Sequence, residues 1–91
     1  MQPEERRPTH PGEILLEEFL KPRSMSQVKL ALQMRVPIQR INTLIAGKRG
    51  VTPETAILLS MVFDTTPEFW MNLQTGYDLY AAKKRLNRKA A

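Results

Sequence analysis

The amino-acid sequence predicts an all-α protein of five helices. Apolar residues recur at three- and four-residue intervals along most of the chain, and no stretch alternates with period two for long enough to build a strand. Helix-start signals also punctuate the chain, with His10-Pro11, Thr52-Pro53 and Thr66-Pro67 each pairing a possible cap with a proline suited to a first helical turn. The 91 residues, 42% hydrophobic and 25% charged, suit one small domain and leave no length for a second core.

The first helix is expected to open at Pro11, with Glu13 near the positive end of the helix dipole and Leu15, Leu16, Phe19 and Leu20 as its apolar stripe. Pro22 disfavours helical geometry at Lys21, so the helix ends there. Ser26 caps a second, short helix with Leu30, Ala31 and Met34 inward, and Val36-Pro37 interrupts it. A third helix opens near Pro37, turns Ile41, Leu44 and Ile45 inward, and is ended by Gly47 in a left-handed conformation. Thr52 caps the fourth, with Ala56, Leu59, Ser60 and Phe63 at helical spacing. Thr66-Pro67 opens an extended C-terminal helix carrying Trp70, Leu73, Tyr77 and Tyr80, whose aromatics read as core or dimer contacts. Within it Gly76 costs roughly 1 kcal/mol relative to alanine, unless a close-packed partner helix needs the space. The chain thus divides into a flexible N-terminal arm (1–10), a folded domain (11–82) and a basic C-terminal tail or fraying helix end (83–91).

Composition removes whole classes of chemistry. Without cysteine there is no disulfide framework or thiolate metal site, and a single histidine cannot supply a nitrogen-ligand zinc cluster. His10, before a proline at a helix start, reads as a capping or surface residue and not as a ligand or catalyst. Gly47-Lys48-Arg49 does not make a phosphate loop, because Asn42 stands where the first glycine belongs and Arg49 where a magnesium-holding hydroxyl belongs. No catalytic residues, metal or cofactor are expected. The longest nearly apolar run, Ala56 to Phe63, is far short of the roughly 20 residues that span a bilayer, and the N-terminus has no apolar signal core. A cytoplasmic binding protein is the expectation.

The net charge of +5 is very unevenly distributed. Residues 1–18 are acidic through Glu4, Glu5, Glu13, Glu17 and Glu18, whereas residues 19–53 carry Lys21, Arg23, Lys29, Arg35, Arg40, Lys48 and Arg49 and no acid at all. Residues 54–82 then hold only acids, Glu54, Asp64, Glu68 and Asp78, before the basic end. The acid-free block has the charge pattern of a surface that meets phosphates.

That block also holds two short helices joined across Arg35 and Val36, the arrangement of a helix-turn-helix whose second member reads the major groove. With Ile41, Leu44 and Ile45 inward, Ile38, Gln39, Arg40 and Thr43 are the candidate base contacts. Glutamine pairs bidentately with adenine and arginine with guanine, while apolar atoms of isoleucine and threonine meet the thymine methyl. Gln27, Asn42, Lys48 and Arg49 are the candidate phosphate contacts.

The chain resembles the HigA-type antitoxins of the XRE, lambda-repressor-like helix-turn-helix class over about residues 9–80. The resemblance is carried by His10-Pro11-Gly12-Glu13-Ile14-Leu15, Ser26-Gln27 through Val36, Arg40-Ile41-Asn42, Gly47-Lys48-Arg49, Val51-Thr52 and Thr65 through Gln74, with Tyr77-Asp78-Leu79. It implies a five-helix DNA-binding domain, usually a homodimer on a pseudo-palindromic operator in double-stranded DNA. It further implies an antitoxin that neutralises a small basic RelE-like ribonuclease toxin and represses its own promoter. By the same resemblance Gln27 matches a phosphate-contacting glutamine, and Ile38, Gln39, Arg40 and Thr43 match groove-facing positions. Two departures stand out: Arg35 occupies a turn position where relatives often have glycine, so a left-handed conformation there strains it, and Ile38 stands where many repressors have a polar group. Rival readings are an orphan regulator without a toxin and a protein-only inhibitor whose acidic first block docks a basic ribonuclease.

Overall fold

The computed structural model describes residues 7–90 and contains five helices, with no strand among the described residues. The first, α1, starts as an α-turn over Pro11–Ile14 and continues over Leu15–Leu20 with the wider π-helical register, closed by the Lys21 N–H donating to the Leu16 carbonyl at 3.0 Å. Helix α2 is Gln27–Met34, α3 Ile38–Ile45, α4 Pro53–Phe63 and α5 Pro67–Ala90. Helix α5 is about 36 Å long by its rise per residue and runs on through the basic residues after 82. Of the N-terminal arm only residues 7–10, which are not helical, fall within the described part; residues 1–6 lie outside it.

The starts of α1, α2, α4 and α5 are capped by side chains where the sequence places them, and that of α3, at Pro37, is not. The Ser26 Oγ accepts from Lys29 N–H at 3.0 Å, Thr52 Oγ1 from Thr55 N–H at 3.3 Å and Thr66 Oγ1 from Phe69 N–H at 3.1 Å. His10 caps α1 with its ring, Nδ1 accepting the Gly12 N–H at 2.9 Å. The helix ends share one closure. After α2, α3 and α4 the chain turns through a left-handed residue (Arg35, Gly47, Asp64), and the next N–H reaches back to the carbonyl of Ala31, Thr43 or Ser60. Only one of the three is glycine. Arg35, at φ 57° and ψ 45°, takes the strained conformation expected at that turn.

The core gathers Leu15 and Leu20 of α1, Leu30, Ala31 and Met34 of α2, Ile41 and Leu44 of α3, Val51, Ala56, Leu59 and Phe63 around α4, and Trp70 of α5. Leu16, Phe19 and Ile45, expected inside, are half-buried against it. Phe19 sits among Phe63, Trp70 and Phe69 with ring centroids 5.0–6.0 Å apart, and the buried Trp70 donates its Nε1–H to Thr65 Oγ1 at 2.8 Å. Arg23 lays its guanidinium over the Phe19 and Phe63 rings, closing the cluster toward solvent.

Two glycines set how closely elements approach. A Cβ on Gly12 would lie 1.9 Å from the Leu44 carbonyl oxygen, so the first turn of α1 rests directly on the backbone of α3. A Cβ on Gly50 would press to 2.9 Å of the Gln74 amide, which instead enters to accept the buried Val51 N–H at 2.7 Å while donating to Asp78 at 2.9 Å. Gln74 thereby ties the loop after α3 to α5. Gly76 is the opposite case, since a Cβ there meets no atom within 4 Å and the chain's own fold makes no use of the missing side chain.

Replacing Gly12 by alanine is therefore expected to cost at least about 2 kcal/mol through backbone overpacking, whereas Gly76→Ala adds about 0.8–1 kcal/mol of helix stability. Urea unfolding of the two variants beside the parent checks both signs. His10 supplies a pH dependence. Burial lowers its pKa from the ordinary 6.5, against the opposing pull of Asp78 and Glu13, and the cap needs Nδ1 unprotonated. The unfolded chain thus takes up a proton before the folded one, so the His10 contribution is complete above pH 6.5 and declines as pH falls from there toward the lowered folded value. In His10→Asn, which keeps a capping acceptor without a titrating ring, the drop in melting temperature between about pH 7.5 and 5.5 should shrink.

Candidate nucleic-acid interface

Helices α2 and α3 are joined by Arg35, Val36 and Pro37, and five of the seven bases of the acid-free block, Lys29, Arg35, Arg40, Lys48 and Arg49, lie on them or in the segments that follow them, while Lys21 and Arg23 stand at the end of α1. Pro37 stands at the N-cap of α3 in extended geometry and offers no side-chain acceptor, so the first turn of α3 has no side-chain cap and the Arg40 N–H donates to the Pro37 carbonyl at 3.0 Å. Ile41 and Leu44 are buried beneath, which fixes the rotation of α3 and turns Gln39 and Asn42 fully outward.

The candidate base contacts are held differently from one another. Gln39 is exposed on the first turn. Thr43 donates its hydroxyl to the Gln39 carbonyl at 2.7 Å, which uses the donor internally and leaves the oxygen lone pairs and the methyl for outside contact. Ile38 is half-buried and packs on the core, so only part of its side chain is presented. Arg40 is also partly enclosed, its side chain 30% exposed, and its Nη1 lies 3.8 Å from Glu54 Oε1 in the first turn of α4.

The candidate phosphate contacts fall into two groups. Gln27, the first residue of α2, accepts from Asn42 Nδ2 at 2.5 Å. This bond joins the two helices through side chains and occupies the Gln27 oxygen, leaving its amide N–H groups to donate to an anion. Lys48 and Arg49 are exposed in the loop after α3, where the Lys48 N–H bond to the Thr43 carbonyl at 2.9 Å fixes the departure of the loop from the helix. Gly47 in that loop borders His10, whose ring meets Tyr77 edge-on at 4.8 Å, so the loop is braced by His10 at the start of α1 and by Gln74 of α5.

Glu54 is the member that sequence reasoning missed. The available signal was its position as the first acid after 35 residues without one, in the turn that Thr52 caps. The basic residues beyond 82 are placed elsewhere: Lys84, Arg85 and Arg88 line an open cleft of about 270 Å³ with Arg7, Tyr77 and Tyr80, and Lys84 Nζ lies 5.7 Å from the Tyr80 ring. Among the described residues no helix is long and apolar enough to cross a membrane.

Comparison with known proteins agrees with this architecture. The family described as Helix-turn-helix matches residues 16–70. Antitoxin HigA-1 of Vibrio cholerae is 38% identical over 91 residues, covering 99% of this chain and 85% of its own length. Among solved structures, antitoxin GraA superposes with a TM-score of 0.89 at 42% identity, covering 93% of this chain and 91% of that one. Pseudomonas aeruginosa antitoxin HigA, solved with the higBA promoter, gives 0.88 at 39% identity over 92% and 91% of the two chains. Five helices in this order, a helix-turn-helix at residues 27–45 and relatives of this closeness over almost the whole chain make the protein a member of the HigA-type antitoxins of the XRE-class, lambda-repressor-like helix-turn-helix family.

Proposed function

We propose that the chain is a promoter-binding antitoxin that represses its own transcription and neutralises a small basic RelE-like ribonuclease toxin. The observation that carries the DNA half is the clustering of Gln39, Arg40 and Thr43 on α3 with the Gln27–Asn42 pair and the Lys48-Arg49 loop, in a stretch free of acids. Relatives solved with the higBA promoter and with an operator support it. In this reading Ile38, Gln39, Arg40 and Thr43 meet base edges, while Gln27, Asn42, Lys48 and Arg49 hold phosphates. The work is done by binding in the cytoplasm and not by turnover.

Two copies would place their α3 helices about 34 Å apart on a pseudo-palindrome. The open face around Gly76, with Leu79 exposed one turn on, is compatible with a second copy. For the toxin, Glu13, Glu17 and Glu18 present exposed carboxylates on α1, one of them paired with Lys21 at 2.8 Å, and charge of this sign speeds encounter with a basic partner. Glu4 and Glu5 of the same block lie outside the described residues. Residues 11–82 form the DNA-binding unit in this scheme, with 83–91 as its basic extension.

A gel shift on the DNA immediately upstream of the chain's own coding region tests the repressor half; binding no tighter than to a scrambled duplex contradicts it. Arg40→Ala should cost about 1–3 kcal/mol and relax base choice at one position per half-site. Lys48→Ala should instead weaken all duplexes alike and make the log-affinity against log-salt slope shallower by about 0.9 for each phosphate that is no longer neutralised. Co-purification with the product of the adjacent reading frame tests the toxin half, and its absence would favour a regulator without a toxin.

A further inference from the structure

The ion pair between Arg40 and Glu54 joins a groove-facing residue of α3 to the first turn of α4, and it is the only described ion pair that reaches the helix-turn-helix from outside the acid-free block. Its geometry is loose at 3.8 Å, and its partners differ in exposure, 30% for the arginine side chain and 75% for the glutamate. The glutamate has little to lose by letting go, because water can solvate it where it stands. The guanidinium is a planar fork suited to any bidentate anion or acceptor edge, carboxylate, phosphate or guanine alike. A carboxylate this near to it therefore occupies a place that DNA would fill.

We propose that Glu54 is an intramolecular stand-in for DNA, holding the Arg40 guanidinium in the free protein and giving it up when a duplex arrives. This rests on the operator-binding reading above. Glu54 is thus a positioning residue that acts through Arg40, and it weakens every duplex contact that Arg40 makes by the free energy of the pair. Its carboxylate has a second use at the positive end of α4, where negative charge stabilises the helix whatever Arg40 does. That structural role affects unfolding and leaves the coupling to Arg40 in DNA affinity unmoved.

The test is a double-mutant cycle in DNA affinity with the full chain, using parent, Glu54→Gln, Arg40→Ala and the double variant on the upstream duplex and on a scrambled one. Glu54→Gln should tighten binding about 1.5- to 5-fold, the range of exposed ion pairs, and most of that gain should vanish when residue 40 is alanine. The same gain in both backgrounds would overturn the proposal, since it would mean that Glu54 merely repels phosphates at a distance. Glu54→Asp keeps the charge while withdrawing it from Arg40, and so should also tighten binding; no change there counts against the pair in the same way. Failure of the operator reading shows separately, as loss of preference for the upstream duplex, while the coupling between residues 40 and 54 decides the inference on either duplex. Thermal melts of each variant confirm that folded protein is being compared.

Discussion

The seating of α1 on α3 depends on residue 12 having no side chain. With the Leu44 carbonyl oxygen only 1.9 Å from where a Cβ would stand, the two backbones touch, and the orientation of α3 is referred to α1 by peptide groups instead of by adjustable side chains. Leu15 follows from the same turn into the centre of the core, and Ile41 and Leu44 meet that core from the other side. A groove-reading helix has to keep its outward residues within small tolerances. Direct backbone contact is a stiff way to provide this, because it leaves no rotamer free to absorb a displacement.

A second layer of bracing reaches the loop after α3. Gly50 admits the Gln74 amide, Gln74 fastens the Val51 N–H, and the His10 ring lies by Gly47 and against Tyr77. The long terminal helix thus helps to hold the candidate interface without itself belonging to it. Lys48 and Arg49, exposed as side chains, stand on a backbone held from the start of α1 and from α5. The Gln27–Asn42 bond does the corresponding work at the other end, where α2 and α3 are tied through the groups that would meet phosphate.

What the sequence disclosed and what it hid divide along the range of the forces involved. Caps at Ser26, Thr52 and Thr66, the proline after His10 and the left-handed Gly47 are decided within a few residues, and each was legible. The burial of Leu30, Ala31, Met34, Ile41 and Leu44 follows from a 3.6-residue period and was legible too. The π-helical register of Leu15–Leu20 was not, because its shifted hydrogen bonds have no local signature in the residue types. Gln74 was equally hidden, since a polar residue 23 positions from its backbone partner looks like surface until the chain folds. At the candidate interface the outward set on α3 came from the helical period, but the partial burial of Ile38 and the pairing of Arg40 with Glu54 depend on neighbouring elements that one helix cannot reveal.

Arg35 and Asp64 close their helices with side chains where glycine would be unstrained. Each such residue gives up on the order of 1 kcal/mol of backbone comfort, and each lies at a joint, one between α2 and α3 and one before α5. Ser24, at φ 50° after α1, is a third such corner, so the strained joints follow α1, α2 and α4. Amide protons flanking these corners should trade with solvent sooner than those of Leu30 or Leu59 in the interior, which gives this small helical domain a built-in order of unfastening.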